Sequence, residues 1–319
     1  MLMEYPNMQK DTGEISSEGL KRSMNKRQIQ MLALGGVIGI GLFYGGGQAV
    51  SLAGPSTIVD FVICGIIVAI VMRTLGEMTI EKPISGSFGD FAKEFLGARI
   101  GFVTSGMWWF FWVATVMSEL AAIGKIVQVW FPDFPVWIPG VIALILFTLA
   151  NLLSVKIFGE VEYWFAILKV LAIVVFMAFG ALIILTGVFN HGQVVGLTNL
   201  WADGGFMPNG LLGIAMAVSL VIQSYSGIET LAVTSGETNN PANNMRRAFG
   251  TVTFRIAILY IGSIFIMLCV FPWGELIHQS GSPYIQIFNK AGLPVAAVIM
   301  SVLIVFSGLS SCNTGLYGG

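Results

Sequence analysis

Charged side chains are scarce in this sequence. Asp, Glu, Lys and Arg make up 10% of the 319 residues, whereas 55% of the residues are hydrophobic. Because a soluble domain carries about 25% charged residues, this shortage excludes a soluble protein and indicates an integral membrane protein. The formal net charge of -1 and the lack of a basic cluster also exclude a nucleic-acid partner.

Residues that bind metals or perform nucleophilic catalysis are also few. The chain has two histidines and three cysteines, and Cys64, Cys269 and Cys312 lie in apolar stretches without a CxxC pair. We interpret the cysteines as small buried hydrophobic residues. The sequence therefore predicts no metal site, no cofactor and no enzyme active site.

Long apolar runs dominate what is present. A run of about 20 apolar residues spans a bilayer, and the sequence contains eight such runs. They cover residues 28–50, 57–79, 100–129, 136–155, 163–188, 209–235, 248–271 and 294–318. Between the second and third segments, Ser85–Gly97 has phenylalanines three and four residues apart, which predicts a short amphipathic helix at the membrane interface. The pattern as a whole predicts an all-α membrane protein.

The distribution of basic residues predicts the orientation of the chain. With the N-terminus inside, thirteen of the sixteen Lys and Arg residues lie in cytoplasmic loops or near that surface. Cytoplasmic loops of membrane proteins carry an excess of these residues. We therefore expect a multi-pass protein of the plasma (inner) membrane with a cytoplasmic tail over residues 1–27.

Three ionisable residues lie deep within predicted segments: Glu119, Lys169 and Glu229. Each costs roughly 2.5 to 3.5 kcal/mol at a helix centre, so each is expected to face a cavity or a partner. This favours a transporter, channel or pump over a passive anchor. No acidic residue follows Lys169 in its segment, so its charge would depend on access of water, which makes it a candidate proton-coupling group. The alternative for all three is a structural ion pair or a snorkelling side chain.

Helix-weakening residues interrupt two segments near mid-membrane. The first segment contains "GGVIGIG" (Gly35–Gly41), and the sixth contains "SYSGIETLAVTSG" (Ser224–Gly236). Secondary transporters often bind substrate at a pair of broken helices, one in each inverted repeat. The glycines also fit the GxxxG pattern of close helix packing. We assign Gly35 to packing, and Gly39 and Gly41 to the interruption.

Several motifs, in order along almost the whole chain, resemble those of one family. They include "LALGGVIGIGLF", "MRTLGEM", "GSFGDFAKEFLG", "NLLSVKIFGEVEYWFAILKV", "SYSGIETLAVTSGETNNP" and "SSCNTGLY". The family is that of the amino acid permeases of the amino acid, polyamine and organocation superfamily. The resemblance implies a five-plus-five inverted-repeat fold, with a first repeat at 28–190 and a partial second repeat of three helices at 191–319. Because family members continue through four more helices, we expect a fold truncated after about eight.

The resemblance also implies where a substrate binds. The break at Ile38, Gly39, Ile40 and Gly41 corresponds to the family's site for the substrate carboxylate, where unpaired N–H groups at a helix start suit an anion. Carbonyl groups near Val37 and Ile38, and near Ser224 and Tyr225, correspond to the site for the ammonium group. Ser226 and Gly227 complete the sixth-segment side of this predicted site.

Four further residues receive roles from the resemblance. Lys169 corresponds to the lysine that replaces the sodium ion in proton-driven relatives, and Glu229 to an acid beside the substrate. Gln223 or Tyr225 would cover the pocket, and Glu119 would face it, with helix packing as the alternative for Glu119 and Gln223.

These expectations lead to one hypothesis and two alternatives. The hypothesis is proton-coupled uptake of an amino acid, with the amino acid, protons and the lipid bilayer as partners and no cofactor. The alternatives are a proton-independent amino acid exchanger and a truncated membrane fragment that transports nothing.

Overall fold

The structure is a computed structural model that describes residues 31, 34–82, 87–153, 155–188, 194–233, 235, 241–278 and 282–318. Within these residues the chain forms helices and turns, and no β-strand. The all-α prediction is therefore confirmed for this part of the chain. The predicted tail at 1–27 lies outside the described residues.

The helices follow the predicted segments closely. In chain order they are a π-helical turn (Gly41–Gly45) that leads into α1 (Gly46–Ala53), then α2 (Thr57–Glu81), α3 (Ser87–Leu96), α4 (Ala98–Trp130), α5 (Trp137–Leu153), α6 (Val155–Thr186), α7 (Gly210–Ser224), α8 (Thr230–Val233), α9 (Pro241–Val270), α10 (Trp273–His278), α11 (Pro283–Lys290) and α12 (Pro294–Gly318). The predicted amphipathic helix is present as α3, with Phe91 buried and Phe95 exposed.

Five described stretches are long and apolar enough to cross a membrane. They are Gly41–Glu81, Ala98–Trp130, Glu160–Thr186, Val252–Val270 and Pro294–Gly318, and Trp137–Leu152 and Gly210–Ser224 are shorter apolar helices. The sixth predicted segment is short here because turns at 225–229 interrupt it. Several helices of this length and hydropathy are typical of a multi-pass membrane protein.

The helices pack in two sets that meet at α6. Helix α2 lies along α9, α4 lies along α12, and α6 contacts both α9 and α12. Where α2 and α9 meet, the rings of Phe61, Tyr225 and Tyr260 cluster with centroids 5.2 to 6.2 Å apart. The first-segment break lies between the two sets, because residues of α4, α6, α9 and α12 all contact its backbone.

Candidate functional site

The first interrupted helix is present as predicted. Helical geometry ends at Gly35, turns follow at 36–37, and a new helical turn begins at Ile40. The first N–H groups of a helix have no partner within it. The Ile40 N–H donates to the carboxylate of Glu119 on α4, with Oε1 and Oε2 each 3.2 Å from the nitrogen. The break thus binds a carboxylate, and that carboxylate belongs to the protein itself.

Gly39 makes this contact possible. A Cβ built on Gly39 would overlap Glu119 Oε1 and lie 3.1 Å from Ser311 Oγ. A side chain at this position would therefore push Glu119 away from Ile40. At Gly41, in contrast, a Cβ would meet no atom within 4 Å. The two glycines predicted to form the break consequently have different roles: Gly39 admits Glu119, and Gly41 leaves space open.

The carbonyl groups at the break lack helical hydrogen-bond partners, and side chains from three helices donate to them instead. Lys169 Nζ of α6 donates to Gly35 O. Val37 O accepts both the Gly39 N–H and the Tyr260 hydroxyl, each at 3.0 Å. Ile38 O accepts the Ser307 hydroxyl of α12 at 2.8 Å. Buried carbonyls need such partners, so these bonds hold the unwound stretch in one conformation.

Gly35 packs as predicted. A Cβ on Gly35 would lie 2.6 Å from Ala166 Cβ, so only glycine lets the first helix approach α6 this closely. The approach brings Gly35 O within reach of Lys169, three residues after Ala166. Packing and hydrogen bonding at this point depend on the same glycine.

The second interrupted helix meets the first. Residues 225–229 form turns between α7 and α8, and Gly227 has φ +103°, a value that side chains rarely allow. A Cβ there would lie 2.7 Å from Gly36 O and 3.4 Å from Val37 Cα. The two breaks are therefore in direct contact, as the paired broken helices of a secondary transporter require.

A cavity of about 240 Å³ lies beside both breaks. Eight of the thirteen predicted site residues line it: Val37, Gly39, Ile40, Gly41, Glu119, Gln223, Ser224 and Ser226. Drug-sized ligands occupy cavities of about 300 to 1,000 Å³, so this cavity suits a smaller molecule. Its wall combines helix-start N–H groups with one carboxylate.

The other five predicted residues lie around the cavity without lining it. Ile38, Gly227 and Lys169 support the breaks through the contacts described above. Tyr225 is buried and donates its hydroxyl to Phe61 O at 2.8 Å, so it is not a lid in this structure. Glu229 Oε2 accepts the Gly227 N–H at 3.0 Å, and Glu229 lines a separate cavity against α2.

Sequence reasoning missed one wall of the cavity, which α4 supplies. Phe111, Trp112, Thr115, Ser118 and Ala122 line it together with Glu119. These positions recur at spacings of three and four, so they share one face of a helix. Projecting the face around Glu119 would have found them from sequence alone.

A buried polar network behind the break was missed as well. Glu162 of α6 has no exposed surface and accepts hydrogen bonds from Ser310 Oγ at 2.7 Å and Asn313 Nδ2 at 2.9 Å. The predicted fifth segment begins at residue 163, which placed Glu162 outside the membrane. The described helix extends back to Val155, and the run of small polar residues "SGLSSCNTG" in α12 was the available signal.

Comparison with known proteins identifies the family. The sequence profile described as Amino acid permease matches residues 28–319. The chain belongs to the amino acid permease family. The resemblance found in its motifs is thereby confirmed, and the permease family and its named members are transporters rather than enzymes.

Three curated relatives show how far the similarity of this permease extends. The probable threonine/serine transporter YbxG of Bacillus subtilis is 42% identical over 95% of the chain, and the amino-acid permease AapA of the same organism is 38% identical over 93%. The aromatic amino acid transport protein AroP of Escherichia coli K12 is 37% identical over 96%. The permease chain spans 65%, 64% and 66% of these relatives, respectively.

Proposed function

We propose that the chain carries the substrate site of a plasma-membrane transporter that takes up an α-amino acid together with a proton. The observation that carries this proposal is the carboxylate of Glu119 on the Ile40 N–H, beside a small cavity where two broken helices touch. A break that holds one carboxylate has the geometry and the dipole to hold that of a substrate.

The substrate carboxylate is assigned to the N–H groups that begin the helical turn after the break. The Ile40 N–H is held by Glu119, so the substrate either displaces that carboxylate or binds the following N–H groups at Gly41 and Leu42. Gly41 favours the second arrangement, because no atom lies within 4 Å of the position its Cβ would take.

The substrate ammonium is assigned to the sixth-segment side of the cavity. Val37 O already accepts two hydrogen bonds, which are all that its two lone pairs support. Ile38 O accepts the Ser307 hydroxyl, and Ile38 does not line the cavity. The ammonium is therefore assigned to the carbonyls near Ser224 and Tyr225, together with the Glu119 carboxylate. This division places the ammonium across the cavity from the N–H groups that receive the carboxylate. Gln223, which also lines the cavity, retains its proposed role as a cover.

Proton coupling is assigned to Lys169. Lys169 is 1% exposed. Its Nζ donates to Gly35 O in the first break, and it interacts electrostatically with Glu119, which lines the cavity. Glu229 remains a second candidate, and its contact with Gly227 would let it act through the second break. The N-terminus is assigned to the cytoplasm from the distribution of Lys and Arg.

Transport by the full chain in proteoliposomes tests the proposal. An inward proton gradient should drive accumulation of at least one of the standard amino acids, with serine, threonine and phenylalanine tested first because relatives are named for such substrates. A protonophore should abolish the accumulation. If the proton gradient drives uptake of none of the standard amino acids, the proposal is wrong.

A proton-independent exchanger is the alternative. It differs in one measurement, counterflow into vesicles loaded with unlabelled amino acid. Counterflow at the same rate with and without the gradient, in the absence of net accumulation, would favour exchange.

A further inference from the structure

The buried carboxylate of Glu162 lies on the same face of α6 as Lys169. The two are seven residues apart, close to two helical turns, which corresponds to about 10 Å along the helix axis. Glu162 is the nearer of the two to the start of α6 at Val155. Between them lies Ala166, which packs against Gly35 of the first break.

Helix α12 holds this carboxylate in place. Ser310 Oγ bonds to Oε2 at 2.7 Å, Asn313 Nδ2 donates to Oε1 at 2.9 Å, and Asn151 Nδ2 of α5 donates to Asn313 Oδ1 at 3.2 Å. A buried carboxylate is costly, and hydrogen bonds alone rarely justify its presence in an apolar helix bundle. The site therefore calls for a function beyond packing.

Glu162, Lys169 and Glu119 form one electrostatic group. Lys169 interacts electrostatically with both carboxylates, and Cys312 and Tyr260 also face the group among the side chains that the structure describes. With the lysine charged and both acids ionised, the group has a net charge of -1. It becomes neutral when one of the two acids holds a proton.

We propose that Glu162 is the second seat of the transported proton, on the side of Lys169 away from the substrate cavity. This inference rests on the proposed function. One proton enters on Glu119, which lines the cavity. Lys169 gives a proton to the Glu162 carboxylate and takes the one on the Glu119 carboxyl group. Glu162 then releases its proton to solvent, so one proton enters and one leaves.

The partners of Glu162 suit both of its protonation states. A serine hydroxyl can donate to a carboxylate oxygen and can accept from a carboxyl O–H, so Ser310 stays bonded in either state. Asn313 Nδ2 donates to Oε1 throughout, and Asn151 fixes the Asn313 amide. The proton is consequently confined to Oε2, the oxygen that faces Ser310.

The test uses the full chain with Glu162→Gln, which keeps the shape and both hydrogen bonds of the side chain. Without the Glu162 carboxylate, Lys169 and Glu119 remain as an ion pair of zero net charge. Lys169 then has no second carboxylate to which it can pass a proton. Counterflow should stay within about twofold of wild type, whereas proton influx per substrate, read with a trapped pH-sensitive dye, should fall at least about tenfold. Glu77→Gln, at an exposed carboxylate, is the matched control and should change neither reading.

The possible results separate this inference from the proposed function. If wild type moves no protons with substrate, the proposed coupling fails. If wild type is coupled and Glu162→Gln is equally coupled, only the inference fails. If Glu162→Gln yields no folded protein, Ser310→Ala is the second test. It keeps the Glu162 carboxyl group and removes the hydroxyl that can either donate to it or accept from it. We expect Ser310→Ala to lower proton influx at least about threefold with counterflow retained. Unchanged influx would overturn the role of Glu162 as a proton site.

Discussion

The Glu119 carboxylate accepts the backbone N–H of Ile40, with both of its oxygens 3.2 Å from the nitrogen. The two residues are 79 positions apart, on α4 and at the start of the turn that follows the first break. This bond connects two parts of the cavity lining, α4 and the first break. It also places a protein carboxylate next to the N–H groups assigned to the substrate.

Substitution of Glu119 should separate the structural and electrostatic parts of this bond. Glu119→Ala leaves the buried Ile40 N–H without a partner, which costs about 1 to 3 kcal/mol. Glu119→Gln keeps an acceptor oxygen and should be destabilised much less. Thermal unfolding of purified protein in detergent measures both variants. Equal melting temperatures for Glu119→Ala and wild type would show that the bond contributes nothing to stability.

Gly41→Ala should weaken substrate binding without destabilising the protein. Its methyl group meets no protein atom within 4 Å and enters the space beside the cavity wall. We expect at least about a tenfold loss of affinity, equivalent to about 1.4 kcal/mol. Equilibrium binding of the labelled amino acid measures the effect.

Gly46→Ala is the control for this substitution. The same change on the same helical stretch places its methyl group 3.0 Å from Ile264 Cδ1, in the packed interior away from the cavity wall. It should alter stability more than affinity. If Gly46→Ala weakens binding as much as Gly41→Ala, the assignment of the carboxylate site to Gly41 is wrong.

Ser307→Ala should destabilise the first break. The Ser307 hydroxyl donates to Ile38 O, so its removal leaves a buried carbonyl without this partner at a cost of about 1 to 3 kcal/mol. Ser301→Ala on the same helix is the control. Its hydroxyl bonds to Ala297 O within α12, where the loss is tolerated. Urea or thermal unfolding should rank Ser307→Ala below Ser301→Ala, and the reverse order would contradict the role of Ser307.

The sequence was sufficient to predict the interruptions but not the bonds that hold them. Glycines within apolar segments mark both breaks, because glycine weakens a helix wherever it lies. The partner of Ile38 O, in contrast, is Ser307, 269 residues away, and nothing local to either residue indicates the other. Long-range hydrogen bonds of this kind follow from helix packing, which periodicity does not encode.

Glu162 illustrates a second limit. The predicted fifth segment begins after Glu162 because a carboxylate lowers the mean hydropathy of the residues around it. The described helix includes the eight residues before this point, from Val155, and hydroxyl and amide groups of α12 satisfy the carboxylate inside the bundle. A scale that counts only the transfer cost of a side chain therefore began this segment too late.

Removal of the amine at Lys169 should separate accumulation from exchange. Lys169→Ala removes the hydrogen-bond donor to Gly35 O. It also removes the amine that interacts electrostatically with both Glu119 and Glu162. Without that amine, no group remains to pass a proton between the two carboxylates. Proton-driven accumulation should fall to the level seen with a protonophore, while part of the counterflow persists. Lys93→Ala, at an exposed lysine of α3, should leave both readings at wild-type values. Accumulation that survives in Lys169→Ala would exclude this lysine from the coupling mechanism, whatever its contribution to the fold.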